Sequence, residues 1–95
     1  MYKIKRVARW DDGDSGEYTD GSRFRLARVR APEKHQFGGN KATKVASGMT
    51  ARSNGLVRVI TVGRSFNRTV DYQSNKDGSI NKRMMQRGYT NKGRW

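Results

Sequence analysis

The chemistry open to this chain is that of carboxylate and guanidinium groups. Its 95 residues include no cysteine and one histidine, His35, which excludes disulfides, zinc fingers, zinc-dependent deaminase chemistry and paired-histidine nuclease motifs. The remaining candidates are an Asp-Gly-Asp segment at 12–14, a Pro-Glu pair at Pro32 and Glu33, and arginines on strand-like segments. Carboxylates of this kind move protons or bind cations, and guanidinium groups bind phosphate.

The charge balance indicates a polyanionic partner. Twenty-one Lys and Arg residues against eight Asp and Glu give a formal net charge of +13, and affinity for nucleic acid rises with each phosphate that Lys or Arg neutralises. A membrane surface is disfavoured, because no amphipathic helix combines a broad apolar face with a basic rim. No signal peptide or membrane-spanning run is seen, so we expect a soluble, cytoplasmic protein.

The elements that must position these groups begin with three strands. Residues 2–10 place Tyr2, Ile4, Ala8 and Trp10 on one face at a period of two, with Arg6 as the exception. Strands at about 14–19 and 22–29 are separated by Asp20-Gly21, a dipeptide typical of tight hairpins. Arg25 shares a face with Ala27 and Val29 and therefore needs a polar partner, which allows a structural ion pair as one interpretation.

The rest of the chain predicts two helices around two further strands. Asn40 is a candidate cap for a helix with a narrow apolar stripe, and a second helix is expected from about Ser79 to a stop at Gly88. Strands are expected at 56–62 and 68–72, separated by a loop at 63–67. The stripe consists of Ala42, Val45, Ala46 and Met49. The sequence thus predicts a single domain, mainly β with short helices, arranged as a five-stranded OB-type barrel.

Several separated motifs resemble the thermonuclease (staphylococcal nuclease-like) family. They are Asp12-Gly13-Asp14-Ser15, Phe24-Arg25-Leu26 and Val29-Arg30-Ala31-Pro32-Glu33, followed by Gly39 to Ala42, Arg68 and Ile80-Asn81 with Gly88. Their order and gaps agree with the family pattern over nearly the whole chain, although the long final helix of larger members is absent. The resemblance implies metal-assisted hydrolysis of DNA or RNA, with calcium as the usual metal.

The resemblance also implies a catalytic set of Arg25, Glu33 and Arg68. In that reading Glu33 orients or deprotonates the attacking water, and the two arginines stabilise charge on the five-coordinate phosphorus and its leaving oxygen. Other interpretations stay open at this point. Arg68 could simply contact a phosphate, and Glu33 could be a turn residue whose carboxylate accepts backbone N–H bonds.

Asp14 matches a metal ligand of the family, but Arg30 stands where the family has its second metal-binding aspartate. A cation at that position opposes tight calcium binding. Three arrangements would accommodate the change: Arg30 points into solvent, Asp11 or Asp12 supplies the missing oxygen, or arginine takes over the electrostatic role of the metal.

The remaining basic and aromatic residues predict contacts to nucleic acid. Arg64 and Phe66 precede Arg68 in the expected loop, and Tyr89 and Arg94 belong to a basic, aromatic tail that ends at Trp95. Base stacking on such aromatic side chains is sequence-tolerant. Phe66 and Trp95 could equally pack in the core, and His35 is interpreted as a solvated loop residue.

The sequence therefore favours a monomeric phosphodiesterase that acts on single-stranded or locally open DNA or RNA. A noncatalytic OB-type nucleic-acid-binding module is the main alternative, favoured by Arg30. A basic ribosomal or architectural protein unrelated to thermonucleases is the third, and it predicts salt-dependent binding that does not require Glu33.

Overall fold

The computed structural model describes residues 2–91, which form strands and two helices in the order expected for a mainly β chain. The elements are β1 (Lys3–Asp12), β2 (Ser15–Tyr18), β3 (Arg23–Leu26), α1 (Gly39–Ala51), β4 (Leu56–Ser65), β5 (Arg68–Asn75), β6 (Gly78–Ser79) and α2 (Ile80–Gln86). The prediction of a small, mainly β fold with short helices is confirmed. Neither helix in this part of the chain has the length and apolar character needed to cross a bilayer.

The strands form one sheet in the order β3-β2-β1-β4-β5-β6, with antiparallel neighbours throughout. An additional parallel pairing of β3 with β5 joins the two sides of this sheet. Strands β1 to β5 thus close into a ring, and the two-residue β6, which was not predicted, adds to the C-terminal end of β5.

The core fills the inside of the ring around three aromatic side chains. The ring of Phe24 stacks on Tyr18 at a centroid distance of 4.5 Å and meets the edge of Trp10 at 5.1 Å. Helix α1 covers this core with the predicted stripe, in which Ala42, Ala46 and Met49 are buried and Val45 is half-buried. The helix is fixed to β1 by the indole N–H of Trp10, which donates to Thr50 Oγ1 at 3.0 Å.

The predicted face of β1 is wrong over its first half. Ile4 is 63% exposed, whereas Val7 packs against the core. The cause is a bulge between Val7 and Arg9 in the pairing with β2. One extra residue in a strand moves the side chains that follow it to the opposite face of the sheet. Before the bulge the odd-numbered side chains, such as Val7, therefore face the core, and after it the even-numbered Trp10 does.

Turn chemistry follows the sequence more closely, with two corrections. Gly21 (φ 88°) and Gly88 (φ 93°) occupy the predicted hairpin turn and helix stop, and α2 begins after its N-cap Ser79, at the expected start. Helix α1, however, begins at Gly39 after Gly38 in a left-handed conformation, so Asn40 is not its cap. Strand β4 also runs to Ser65, which reduces the expected loop at 63–67 to a turn at Phe66 and Asn67.

Candidate active site

A cleft of about 490 Å³ brings together the four residues that the sequence assigned to catalysis and metal binding. Asp14 comes from the turn after β1, Arg25 from β3, Glu33 from the loop before α1, and Arg68 from the start of β5. The parallel pairing of β3 with β5 is what places the two arginine-bearing strands side by side. The cleft is further lined by Asp12, Arg30, Ala31, Pro32, Gln36 and Thr90.

The guanidinium groups of this cleft are available to a ligand. Within residues 2–91, the side chains of Arg25, Arg30 and Arg68 form no ion pair or hydrogen bond. Many other surface cations are engaged: Arg9 and Arg23 contact Asp11, and Arg52 contacts Asp77. Arg25 acts on Asp14 only through its charge, so the structure gives it no structural ion pair. Unpaired guanidinium groups that converge on one cleft favour a bound anion, for which arginine geometry suits phosphate.

The loop that carries Glu33 is held by backbone hydrogen bonds, and in the part of the chain that the structure describes its carboxylate accepts no backbone N–H. The N–H of Glu33 donates to Gln36 Oε1 at 2.8 Å, and the N–H of Gln36 donates to the carbonyl of Glu33 at 2.8 Å. The side chain of Glu33 is 62% exposed, and its Oε2 lies 3.3 Å from Nε2 of His35. Turn formation therefore uses the backbone of Glu33 and does not occupy its carboxylate. The contact to His35 was not predicted.

Glycine at position 39 is required for this loop. An ideal Cβ on Gly39 would lie 1.8 Å from the carbonyl oxygen of Glu33, closer than any real contact. The first turn of α1 thus packs directly on the backbone that carries the glutamate, and any side chain there would displace it.

Asp12 and Asp14 form a carboxylate pair beside the arginines. Oδ1 of Asp12 accepts the backbone N–H of Asp14 at 3.2 Å and the hydroxyl of Ser15 at 2.6 Å, and Oδ2 of Asp14 accepts the N–H of Ala31 at 3.2 Å. Burial, together with the side-chain hydrogen bond and the charge of Asp12, raises the pKa of Asp14 to about 7. Burial also opposes ionisation of Asp12, but hydrogen bonds from Asp14 and Ser15 outweigh it and lower the pKa of Asp12. The pair therefore retains one proton up to near-neutral pH.

The cleft offers a divalent cation the Asp12–Asp14 pair, and Glu33 is the third acidic side chain in its lining. No group of three or more His, Cys, Asp or Glu residues arranged for a metal ion occurs within the described range 2–91. Arg30 lines the cleft and is also exposed to solvent, and Asp11 is occupied by Arg9 and Arg23. Of the two aspartates considered for the missing oxygen, only Asp12 lines the cleft within residues 2–91.

The predicted nucleic-acid contacts divide into exposed and packed residues. Phe66 is 94% exposed at the turn before Arg68, which corrects the core interpretation, and Arg64 is exposed on β4 rather than in a loop. Tyr89 packs against the hydrophobic core, and its carbonyl accepts the N–H of Arg30 at 3.4 Å. Arg94, with Trp95, lies outside the described residues.

Sequence reasoning considered Asp12, as an alternative to Asp11, for the missing metal-ligand oxygen, but it missed the pairing of Asp12 with Asp14. The Asp-Gly-Asp segment contained the signal. The pairing arises because the chain turns at Gly13, where an ideal Cβ would lie 2.8 Å from those of Ala31 and Ala42. Close packing at this glycine brings the turn against the Pro-Glu loop.

Among known proteins, no family model matches the chain, and no curated protein shows significant sequence similarity to it. The thermonuclease resemblance accordingly depends on the sequence motifs alone.

Proposed function

We propose that this protein is a thermonuclease-like phosphodiesterase, built on an OB-type barrel, that hydrolyses DNA or RNA in the cleft between the Asp12–Asp14 turn, β3, β5 and the Glu33 loop. The observation that carries the proposal is the convergence on one cleft of the Glu33 carboxylate and three guanidinium groups that have no partner within residues 2–91. The ring of β1 to β5, closed by a parallel pair, supports the OB-type assignment.

The proposed reaction starts with binding of a backbone phosphate by Arg25 and Arg68. Glu33 then accepts a proton from water, whose oxygen attacks phosphorus, and the ester oxygen on the opposite side leaves with the bonding electrons. The two arginines stabilise the negative charge that develops on the phosphoryl oxygens and the leaving oxygen, because fixed donors cost little reorganisation during the reaction. Positioning and electrostatics thus supply the catalysis.

Asp12 and Asp14 are the residues that would hold a divalent cation, which the resemblance identifies as calcium. Two converging carboxylates fit one cation as a partial ligand set, completed by water and phosphate oxygens. Such a cation would add positive charge beside the phosphate. Arg30 supplies positive charge from the same cleft, so we expect cation affinity to be low.

A noncatalytic nucleic-acid-binding module is the second candidate. Two observations favour it: Arg30 lines the cleft beside the carboxylate pair, and the carboxylate of Glu33 lies next to His35. In a binding module the arginines would hold phosphate without cleavage, and nothing would depend on Glu33.

The cleavage rate of the Glu33→Gln variant distinguishes the phosphodiesterase from the noncatalytic binding module. Glu17, the chain's other glutamate, lies on β2 and forms an ion pair with Arg9 of β1. Glu17→Gln is therefore the matched control for the loss of one negative charge. End-labelled single-stranded DNA and RNA are incubated with wild type and both variants in calcium, magnesium or chelator, at one ionic strength. We expect Glu33→Gln to lose about 100-fold or more of the cleavage rate while retaining binding and the melting temperature of the wild type.

If all three proteins bind the substrate and leave it intact, the binding module replaces the enzyme as the proposed function. Cleavage that needs Glu33 and persists in chelator would assign the electrostatic role to the arginines alone. Equal cleavage by wild type and Glu33→Gln would remove Glu33 from the mechanism.

A further inference from the structure

The outer surface of β1, β4 and β5, on the opposite side of the sheet from the core, carries apolar and aromatic side chains that no internal packing explains. Strand β4 alternates between buried Val57 and Val59 and exposed Leu56, Arg58 and Ile60. An outward-facing strand of a small basic protein would ordinarily be polar. The apolar residues on this face therefore indicate a ligand or partner.

Strand register assembles these side chains into rows. Ile4 lies opposite Arg58, and Ile60 lies opposite Tyr72. Tyr2 completes the face, because the guanidinium group of Arg58 lies over its ring at 5.2 Å. Tyr2 is 52% exposed and Ile60 46%, so their apolar surfaces are open to a ligand. We define the outer face by the residues Tyr2, Ile4, Leu56, Arg58, Ile60 and Tyr72.

Two shallow grooves cross the outer face, one on each side of Arg58. The first, of about 460 Å³, runs between Ile4, Leu56 and Lys76; the second, of about 270 Å³, is lined by Tyr2, Ile60 and Tyr72. Among residues 2–91, no acidic side chain lines either groove, and neither groove shares a residue with the cleft of the candidate active site.

We propose that the outer face is a second nucleic-acid surface, which binds a single strand by stacking bases on Tyr2 and Tyr72 and holding phosphates with Arg58 and Lys76. Alternation of aromatic and basic side chains along a groove is the arrangement by which proteins bind single strands without sequence preference. Stacking on an aromatic side chain requires an accessible base face, which a stacked duplex does not offer, so we expect the surface to select single-stranded over duplex nucleic acid.

Charge distinguishes this occupant from a second copy of the chain. Two copies docked through the outer face would bring together two proteins of net charge +13, and Arg58 would meet a like charge in its partner. A polyanion instead gains counterion release from the same residues. The proposal rests on nucleic acid being the partner, as proposed above, but not on cleavage in the cleft.

Binding is measured in the Glu33→Gln background with chelator present, so that no cleavage occurs. The probe is a fluorescein-labelled single-stranded DNA or RNA of about 12 nucleotides, a length within the site size of one OB fold, followed by fluorescence anisotropy at one salt concentration. Tyr2→Ser tests base stacking on Tyr2, and Arg58→Gln tests phosphate binding by Arg58. Ile60→Glu adds a negative charge to the outer face and keeps both of these side chains. Circular dichroism verifies that each variant is folded.

The matched control is Lys44→Gln, which removes one positive charge from the groove between α1 and α2, outside both grooves of the outer face. We expect Arg58→Gln and Ile60→Glu each to raise Kd about tenfold, Tyr2→Ser about fivefold, and Lys44→Gln less than about twofold. The same variants should not change competition by the duplex form of the probe.

Face variants that bind as Lys44→Gln does would overturn the proposal while leaving the cleft untouched. A change in sedimentation mass without a change in probe binding would overturn it too and assign the face to a dimer. Absence of probe binding by every protein would contradict both proposals, whereas binding with face dependence but no cleavage in the parallel nuclease assay would uphold only this one.

Discussion

The backbone N–H of Ala31 donates a hydrogen bond to Oδ2 of Asp14 at 3.2 Å. This bond joins the turn after β1 to the loop that carries Glu33, and the carboxylate of Asp14 also feels the charge of Arg25. The protonation state of one carboxyl group is therefore linked to the position of the loop, the stability of the fold and the field at the arginines.

Because Asp14 holds a proton in the folded state, we expect its contribution to the stability of the fold to decrease as pH rises. The folded-state pKa is about 7 and the unfolded value is about 3.9, so the folded state binds more protons between these values. Its stabilising contribution is complete below about pH 4 and is lost as pH rises through about 7. Asp14→Asn mimics the protonated acid, so urea denaturation should show this variant gaining stability relative to wild type between pH 5 and pH 8.

Asp20→Asn is the control with the opposite sign. Hydrogen bonds from Ser22 and then Lys5 lower the pKa of Asp20 to about 2, so its contribution is present above the unfolded pKa and is lost only as pH falls toward 2. The stability difference between Asp20→Asn and wild type should accordingly stay flat from pH 5 to pH 8. A flat difference for Asp14→Asn as well would contradict the shared proton.

Arg30→Asp should raise the affinity of the cleft for calcium at least about tenfold, or about 1.4 kcal/mol. The change removes a positive charge beside the carboxylate pair and adds a third carboxylate to it. Isothermal titration calorimetry at pH 8, where Asp14 is ionised, measures the effect. Arg64→Asp makes the same change in net charge from outside the cleft, and an equal gain in that variant would show that only overall charge matters.

Gly39→Ala should destabilise the fold by about 1–3 kcal/mol, because the new Cβ overlaps the carbonyl oxygen of Glu33 and the loop or helix must move. Gly48→Ala, in the same helix, is the control. Its Cβ would meet nothing within 4 Å, and we expect a gain of about 0.5–1 kcal/mol from helix propensity. Chemical denaturation measures both, and equal effects would contradict the role of the Gly39 contact. In the nuclease assay Gly39→Ala should also lower the cleavage rate, since Glu33 moves with its loop.

Tyr18→Phe should cost about 1–3 kcal/mol of stability. The buried hydroxyl of Tyr18 donates to Asp71 Oδ2 at 2.6 Å and accepts from Gln73 Nε2 at 2.9 Å. Its removal leaves the Gln73 side chain without a partner, since its Oε1 is already unsatisfied. Tyr72→Phe removes a hydroxyl that makes no hydrogen bond within residues 2–91 and should be near neutral; equal losses by thermal unfolding would argue against the buried network.

The sequence predicted best where a single residue determines local geometry. Gly21 and Gly88 supply positive φ, and Ser79 Oγ accepts the N–H of Lys82 at 3.0 Å. The prediction that Asn40 caps α1 was wrong because Gly38, with a left-handed backbone conformation, is the N-cap of the helix. The face of β1 was wrong because a bulge depends on pairing with another strand, which periodicity within one strand does not contain.

The candidate site was predicted in its members but not in its electrostatics. Arg25, Glu33 and Arg68 were selected by a family resemblance, and the ring places them in one cleft. The proton held by the Asp12–Asp14 pair depends on the burial of Asp14 and on its contact with Asp12 in the folded turn, neither of which is encoded in local spacing. The packing of the half-buried Tyr89 against the core follows likewise from tertiary structure.

The parallel pairing of β3 with β5 also bears on the order in which the protein folds. Arg25 and Arg68 belong to segments far apart in the chain, and they become neighbours only when β3 and β5 pair. Contacts of such long sequence separation must overcome loop-closure entropy before they gain stability. We therefore expect the cleft to form only once this pairing is made, and we expect a phosphate bound by both arginines to stabilise the paired strands.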